Sequence, residues 1–293
     1  MIITKLYGGL GNQMFQYAAG KRLAHLHKTS LLLDISSFAD YKLRRYALDC
    51  FSLRTLIATQ TELQRVLRPM KTNLGKILKE IEIWTATLKM PIPVVREQYF
   101  HFDESILFLG NRVYLEGYWQ SEKYFKDVEN AIRADFTFRE QPDLMNNNML
   151  EIISQTSSVS LHIRRGDFVD NVHTNQKHGI CSVEYYKKAI STISTLVSHP
   201  HFFIFSDDID WAKKEMVFIS HVTFVEHNIS GKHSEDMRLM SMCKHNIIAN
   251  SSFSWWGAWL NISPNKIVIA PQNWFVDPSR DTKDLLPENW IKI

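Results

Sequence analysis

Apolar residues come in short, nearly continuous runs, separated by longer stretches with helical spacing. Ile2 to Leu6 is the first run, followed by the glycine cluster Gly8-Gly9-Leu10-Gly11. A helical pattern extends from Met14 to His27, and Leu31-Leu32-Leu33-Asp34 reads as a second buried strand. Short apolar runs bounded by turn signals predict buried strands, and longer stretches of period 3.6 predict helices. Strand, glycine turn, helix, strand is the opening unit of a parallel α/β sheet. From Leu53 to Leu88 the pattern is helical and variable. Val113-Tyr114-Leu115 predicts another strand, leading into Glu116-Gly117-Tyr118-Trp119-Gln120, and helical spacing returns from Val128 to Phe138. Glu140-Gln141-Pro142-Asp143 and the Asn146-Asn147-Asn148 cluster mark a break and a new helix start.

A second alternating series follows. Strands are predicted at Ser158 to Ile163, His201 to Phe205, Thr223 to Val225, Asn246 to Ala249 and Lys266 to Ile269. Helices are predicted at Ser182 to Val197 and Glu235 to Cys243. This predicts a second open parallel sheet. The expected organisation is two doubly wound α/β domains, residues 1–150 and 151–293, facing across a cleft. One larger sheet is the alternative.

The chain has 293 residues, 45% hydrophobic and 22% charged, which is ordinary globular composition and enough for a sizeable core. A net charge of +3 with no dense basic block argues against a nucleic-acid partner. Cys50, Cys181 and Cys243 are too widely spaced for a disulfide framework or a Cys-x-x-Cys metal pair, and read as reduced thiols. The start at Met1-Ile2-Ile3 reads as a core strand, and no apolar stretch approaches the roughly 20 residues that span a bilayer. The expected location is cytoplasmic. Leu74 to Leu88 mixes Lys with Ile, Leu and Trp84, which suits a solvated amphipathic helix and leaves peripheral membrane contact open. Eight Trp suit a ligand with flat apolar faces, and equally suit core filling.

Polar chemistry gathers at predicted strand ends, where open α/β sheets bind ligands. His162-Ile163-Arg164-Arg165-Gly166-Asp167 follows one strand. Guanidinium forks match phosphate oxygens and stay charged at working pH; a surface ion pair of Arg165 with Asp167 is the plainer alternative. Phe205-Ser206-Asp207-Asp208 ends the next strand. Asp208-Ile209-Asp210 spells an acid-x-acid metal pattern, but a helix cap is preferred, because a metal and an arginine pair would be redundant neutralisers. Asn250-Ser251-Ser252-Phe253-Ser254-Trp255-Trp256-Gly257 places hydroxyls at a helix start, which is an anion site. Gly8 to Gln13 departs from the dinucleotide fingerprint at Met14 and lacks the Gly-Lys-Ser/Thr of a P-loop. It remains a tight turn for close ligand approach, with Asn12 and Gln13 offering amides.

These four blocks, together with Phe15-Gln16-Tyr17 after the glycine loop, resemble the motifs of the bacterial α-1,2-fucosyltransferases, glycosyltransferase family 11. They stand in family order from the first strand to near the C-terminus. The resemblance implies a GT-B-like fold of two Rossmann-type domains, with residues 1–150 on the acceptor side and 151–293 binding GDP-fucose. It implies transfer of fucose to the 2-hydroxyl of a galactose-terminated oligosaccharide or lipid-linked glycan, inversion, no metal or other cofactor, and a place in O-antigen synthesis. Arg164 then matches the β-phosphate clamp. Asp236, sixteen residues before Ser252 (252 − 236 = 16), matches the guanine reader. His162 and Phe253 fall beside the nucleoside. Gly9, Gly11, Arg165, Asp208, Asn250 and Ser251 complete the expected donor site. Glu116 is a carboxylate candidate for the acceptor proton, and Asn12 orients donor or acceptor. A different GDP-sugar, or a carbohydrate-binding protein without catalysis, are the alternatives.

Overall fold

Among the described residues the strands form two wholly parallel sheets. The computed structural model describes residues 1–39, 44–67, 92–166, 179–229 and 231–293. They fall into two units, Met1–Asp49 with Leu53–Phe136, and Cys50–Ser52 with Thr137–Ile293. The expected amphipathic stretch Leu74 to Leu88, and Asp167, lie outside the described residues.

The first sheet is built from β1 (Ile2–Lys5), β2 (Leu31–Asp34), β3 (Leu56–Ile57), β4 (Val94–Arg96) and β5 (Val113–Glu116). Their order is β3-β2-β1-β5-β4. The chain winds outward from β1 through β2 to β3, crosses to the opposite edge at β4, and returns inward to β5 beside β1. Helix α1 (Leu10–Leu26) follows β1 directly and is apolar on most faces; Met14, Phe15, Tyr17 and Ala18 are wholly buried. Ile3, Leu32 and Tyr114 form a core with Leu63 and Val66 of α2 (Gln60–Leu67). The short α3 (Glu129–Asp135) closes the unit.

The second sheet contains β6 (Ser157–Ile163), β7 (Pro200–Ser206), β8 (Val222–Phe224), β9 (His245–Ile247), β10 (Val268–Ala270) and β11 (Ile291–Lys292), ordered β11-β10-β9-β6-β7-β8. Counted within the unit this is 3-2-1-4-5-6, the order of dinucleotide-binding sheets, with its switch point between β6 and β9. Its helices are α4 (Leu144–Gln155), α5 (Val183–Leu196), α6 (Ile209–Glu215), α7 (His233–Met242) and α8 (Ser252–Leu260). Because successive strand residues face opposite ways, β6 sends Val159, Leu161 and Ile163 to a core with Tyr186, Ala189 and Ile193 of α5. Phe203 and Phe205 of β7 meet Ile153 of α4 and Leu239 and Met240 of α7 in a separate cluster. Side-chain caps start α4 at Asp143, α5 at Ser182, α6 at Asp208 and α8 at Ser251, each worth about 1 kcal/mol.

The unit boundary falls at Phe136/Thr137 rather than near 150, so α4 belongs wholly to the second unit. Its Asn146 explains why: the side chain is fully buried and hydrogen-bonded to Asn228. Cys50–Ser52 also pairs with the second unit, through Ser52 N–H to Thr137 O (2.8 Å), Arg139 N–H to Cys50 O (2.9 Å) and the Phe51 and Phe138 rings. Strands β3, β4 and β11 are additions to the expected set. Six of the eight Trp (119, 255, 256, 259, 274 and 290) are buried core residues, so their abundance reflects packing.

Candidate active site

The carboxyl end of β6 delivers His162 and then Arg164 and Arg165 to the second unit's switch point. The His162 ring is buried 5.7 Å from the Phe253 ring, and its Nδ1 has no hydrogen-bond partner among the described residues. Burial pushes its pKa down to about 4; the Asp207 carboxylate opposes this shift and Arg164 adds to it. A ring so held is neutral at physiological pH.

The two arginines are held differently. Arg164 Nη1 pairs with Asp207 Oδ2 at 2.5 Å. The Arg165 N–H donates to Asp207 Oδ1 (2.8 Å), its Nε donates to Asp208 Oδ2 (3.0 Å), and its guanidinium lies 4.0 Å above the Trp211 ring. The expected partner of Arg165, Asp167, is outside the described residues; Asp208 and Trp211 brace it here. Gly166 is required beside this pair, since a Cβ there would stand 2.6 Å from Asp207 Oδ2.

Asp208, expected in the donor site, has both carboxylate oxygens engaged within the second unit. One of its oxygens caps α6 through Trp211 N–H (3.2 Å) and the other holds Arg165. The acid-x-acid pattern is thus a helix start, as the preferred reading of the sequence had it. Asn250, also expected there, is engaged within the second unit. It is buried, its amide reaches the Gly179 and Trp274 carbonyls (both 3.3 Å), and Cys181 Sγ approaches its Oδ1 (3.5 Å). It ties loops together. Ser251 caps α8 by accepting from Phe253 N–H (3.3 Å), and Ser252 opens that helix, whose N-terminus carries a partial positive charge. Gly257 lets α8 lie against α7, because a Cβ would come within 3.0 Å of Met240 Cβ.

Asp236 stands in the first turn of α7. Its Oδ1 accepts from Asn228 Nδ2 (2.9 Å), and Oδ2 has no partner among the described residues. Burial raises its pKa to about 7. Behind it runs a chain of amides: Asn228 and Asn146 exchange two hydrogen bonds (2.9 and 3.0 Å), and Asn146 binds Asp143. Sequence reading missed Asn228; its signal was a polar residue shortly after a strand, too common to single out.

In the first unit, Gly8 has φ +80° and a Cβ there would crowd Asn12 Nδ2 at 2.7 Å. Gly9 caps α1 with open space beside it, whereas Gly11 is buried in the first turn. Gln13 is also withdrawn. Its fully buried amide binds the Gly8 and Arg45 carbonyls and Ala47 N–H, each at 2.9 Å, and so holds the loop. Asn12 Oδ1 accepts from Gln120 Nε2 (2.8 Å), joining the loops after β1 and β5.

Glu116 is clamped by Lys5 Nζ (2.7 Å) and Arg96 Nε (2.8 Å), and the hydrogen bond from Lys5, followed by that from Arg96, holds its pKa below the usual carboxylate value despite partial burial. That weakens it as a base. Glu97, which the sequence did not single out, is the contrasting carboxylate. It accepts from Tyr118 N–H (2.8 Å) and Trp119 N–H (2.9 Å), and burial raises its pKa against those bonds. It supports a turn in which Trp119 has φ +57°, a conformation costly for a bulky residue.

The profile of glycosyl transferase family 11 matches residues 1–293. The chain belongs to that family. It is 35% identical to an alpha-1,2-colitosyltransferase of Escherichia coli, with 100% of this chain and 99% of that protein covered. It is 33% identical to the O-antigen biosynthesis glycosyltransferase WbnK of Escherichia coli, over 98% and 99%. A mouse galactoside alpha-(1,2)-fucosyltransferase 2 is 26% identical over 63% of this chain and 55% of that one. Among solved structures, the NodZ alpha-1,6-fucosyltransferase soaked with GDP-fucose aligns with TM-score 0.53 at 12% identity, covering 92% of this chain and 94% of that one. The two parallel-sheet units are thus a GT-B-like fold, and the chain is a glycosyltransferase. No helix among the described residues is long and apolar enough to cross a membrane.

Proposed function

We propose that this family 11 glycosyltransferase transfers L-fucose from GDP-fucose to the 2-hydroxyl of a galactose-terminated glycan, with inversion and without a metal ion, in O-antigen assembly. Asp236 carries the donor class. A half-open carboxylate, fixed on one side by Asn228, accepts from the N1–H and 2-amino groups of guanine, a pair that adenine lacks. The linkage and pathway are supported by the full-length relatives named for α-1,2 transfer and O-antigen biosynthesis.

In the proposed reaction the acceptor oxygen attacks the anomeric carbon, the bond from that carbon to the β-phosphate oxygen breaks, and GDP leaves with the bonding pair. Arg164 and the N-terminus of α8 meet the negative charge as it develops; losing one such donor typically costs about 100-fold or more in rate. The acceptor proton passes to water or a carboxylate, and the clamped Glu116 is less suited to take it than Glu97.

A colitosyl donor is the second reading, favoured by the relative of that name at 35% identity. A panel of GDP-fucose, GDP-colitose and GDP-mannose against galactose-terminated acceptors, with the linkage read by NMR, decides between them. Equal affinity for GDP and ADP would remove the guanine assignment.

A further inference from the structure

Two buried amides stand between an exposed carboxylate and Asp236. Asn146 of α4 is wholly buried and Asn228 nearly so, while Asp143, at the start of α4, is exposed. Every hydrogen-bonding position of the Asn146 side chain is filled. Its Nδ2 donates to Asp143 Oδ1 (2.9 Å) and Asn228 Oδ1 (2.9 Å), and its Oδ1 accepts from Asn228 Nδ2 (3.0 Å) and His227 Nε2 (3.0 Å). The other N–H of Asn228 reaches Asp236 Oδ1 (2.9 Å). Asp143 is fixed in turn: its Oδ1 also takes the Asn146 backbone N–H (3.0 Å), and its Oδ2 takes Lys232 Nζ (2.9 Å).

This chain has a direction. The Asn146 backbone N–H and Lys232 lower the pKa of Asp143 to about 2, and an ionised carboxylate only accepts. Asn146 must therefore turn its Nδ2 toward Asp143. Because Asn146 and Asn228 exchange a reciprocal pair of bonds, reversing one amide sets N–H against N–H unless the other reverses too. The orientation at Asp143 thus fixes the orientation at Asp236, and what Asn228 presents there is an N–H. Reversed, Asn228 would present a carbonyl, which only a protonated Asp236 can bind. A donated N–H favours the ionised form against the burial that disfavours it. The charged groups nearby do not replace it. Glu235, the neighbour of Asp236 on α7, opposes ionisation and is itself paired with Arg238 (2.8 Å). Lys232 is engaged by Asp143, His227 is turned to Asn146, and α8, which packs on α7, carries no charged residue.

We propose that Asp143, Asn146 and Asn228 are positioning residues for base recognition: a one-way chain of hydrogen bonds, anchored at the Asp143 carboxylate, that turns an amide N–H toward Asp236 and keeps that carboxylate an acceptor for the guanine edge. The inference rests on the guanine reading above and adds what holds the reader in its binding form.

The test is the pH midpoint of GDP affinity, read by calorimetry on folded protein from about pH 5 to about pH 9. The terminal phosphate of GDP titrates alike in every case and drops out of the comparison. Asp143→Asn is the decisive variant, because the position is exposed and Asn caps a helix as well as Asp does. Two causes give opposite signs. Loss of a negative charge near Asp236 by itself moves the midpoint down. Loss of the anchor lets both amides reverse and moves it up, and a rise of about half a unit or more is expected. Asn228→Leu removes the donor outright. Its midpoint is expected to rise by about one unit or more, so that GDP affinity drops roughly fivefold at pH 7 and recovers by about pH 9. A merely structural role would lower the melting temperature and leave the midpoint in place. An unmoved or lowered midpoint in Asp143→Asn overturns the proposal, as does affinity in Asn228→Leu that stays low at pH 9. Failure of the guanine reading has a different signature: the unsubstituted protein then binds GDP and ADP equally, and both proposals fall.

Discussion

Arg164 and Arg165 are adjacent and carry the same charge, so electrostatics alone makes them interchangeable; their surroundings do not. Arg165 is fixed by Asp208 and stacked on Trp211, while Arg164 pairs with Asp207 at the end of the strand. Lysine keeps the charge but loses the planar fork. Arg164→Lys is therefore expected to lose most of its turnover at saturating donor with an unchanged melting temperature. Arg165→Lys is expected to keep most of its turnover and to melt lower, by about 0.5–1 kcal/mol of lost cation–π contact. A dead Arg165→Lys that melts normally would reverse the two roles. Asp236 makes a pH-dependent prediction. Its folded pKa, about 7, lies above the unfolded value near 4, so the folded state binds the extra proton between those values and stability falls as pH rises from about 4 to 7. In the proposed guanine contact the ionised form accepts, so GDP affinity is expected to be full above pH 7 and to weaken as pH falls through it. Asp236→Asn is expected to melt higher than the unsubstituted protein at pH 8, yet to bind GDP more weakly by roughly 1.5–3 kcal/mol, with little pH dependence. A pH-independent affinity in the unsubstituted protein would remove the carboxylate from base recognition. The role expected of Asp236 came from the family resemblance, through its spacing to Ser252; its raised pKa was not legible, because burial is a property of the fold.

At the scale of elements, the caps were legible and the close approaches were not. Asp208 and Asp143 sit before helical spacing, and the local preference of Asp for N-caps suffices to read them. Gly257 looks like an ordinary helical glycine, and only the position of Met240 on α7 shows why it has no side chain. Gly257→Ala is expected to cost about 1–3 kcal/mol by overpacking, read as a lower melting temperature, with GDP affinity falling because α8 carries Ser252 and Phe253. An unaffected melting temperature would mean that α7 gives way freely. The turn after β5 behaves differently. Glu97 holds two of its backbone N–H groups and supports the positive φ of Trp119, yet no local pattern announces it, since the carboxylate and the turn lie some twenty residues apart. Glu97→Ala removes both acceptors. It is expected to raise the acceptor KM and lower kcat at least tenfold, while GDP affinity, which the proposed donor site assigns to second-unit residues, stays within about twofold. Loss of GDP affinity would show that the substitution damages more than its own turn.

At the scale of the whole molecule, the alternation of strands and helices specified two parallel sheets, because buried central strands are continuous apolar runs that need no partner to be recognised. The edges were lost: β3 and β11 have two residues each, and Leu56 and Ile57 are exposed, so neither burial nor alternation marks them. The unit boundary was misplaced because α4 reads as a generic helix, and only its buried Asn146 assigns it to the second unit. Strand order within each sheet was also out of reach, yet it is what brings Arg164 and Ser252 to one switch point. That arrangement bears on metal use. In the proposed donor site the diphosphate would meet Arg164, a helix N-terminus and its hydroxyls, while Asp208 of the acid-x-acid pattern is committed: both its oxygens are engaged, one with Trp211 N–H and one with Arg165. A divalent ion would have to displace an arginine and uncap α6 to bind there. Turnover with GDP-fucose is therefore expected to persist in excess EDTA, and added Mg²⁺ or Mn²⁺ to change it less than about twofold. Abolition by chelator with restoration by a divalent ion would place the neutralising charge on a metal, and Arg164→Lys would then be the milder of the two losses.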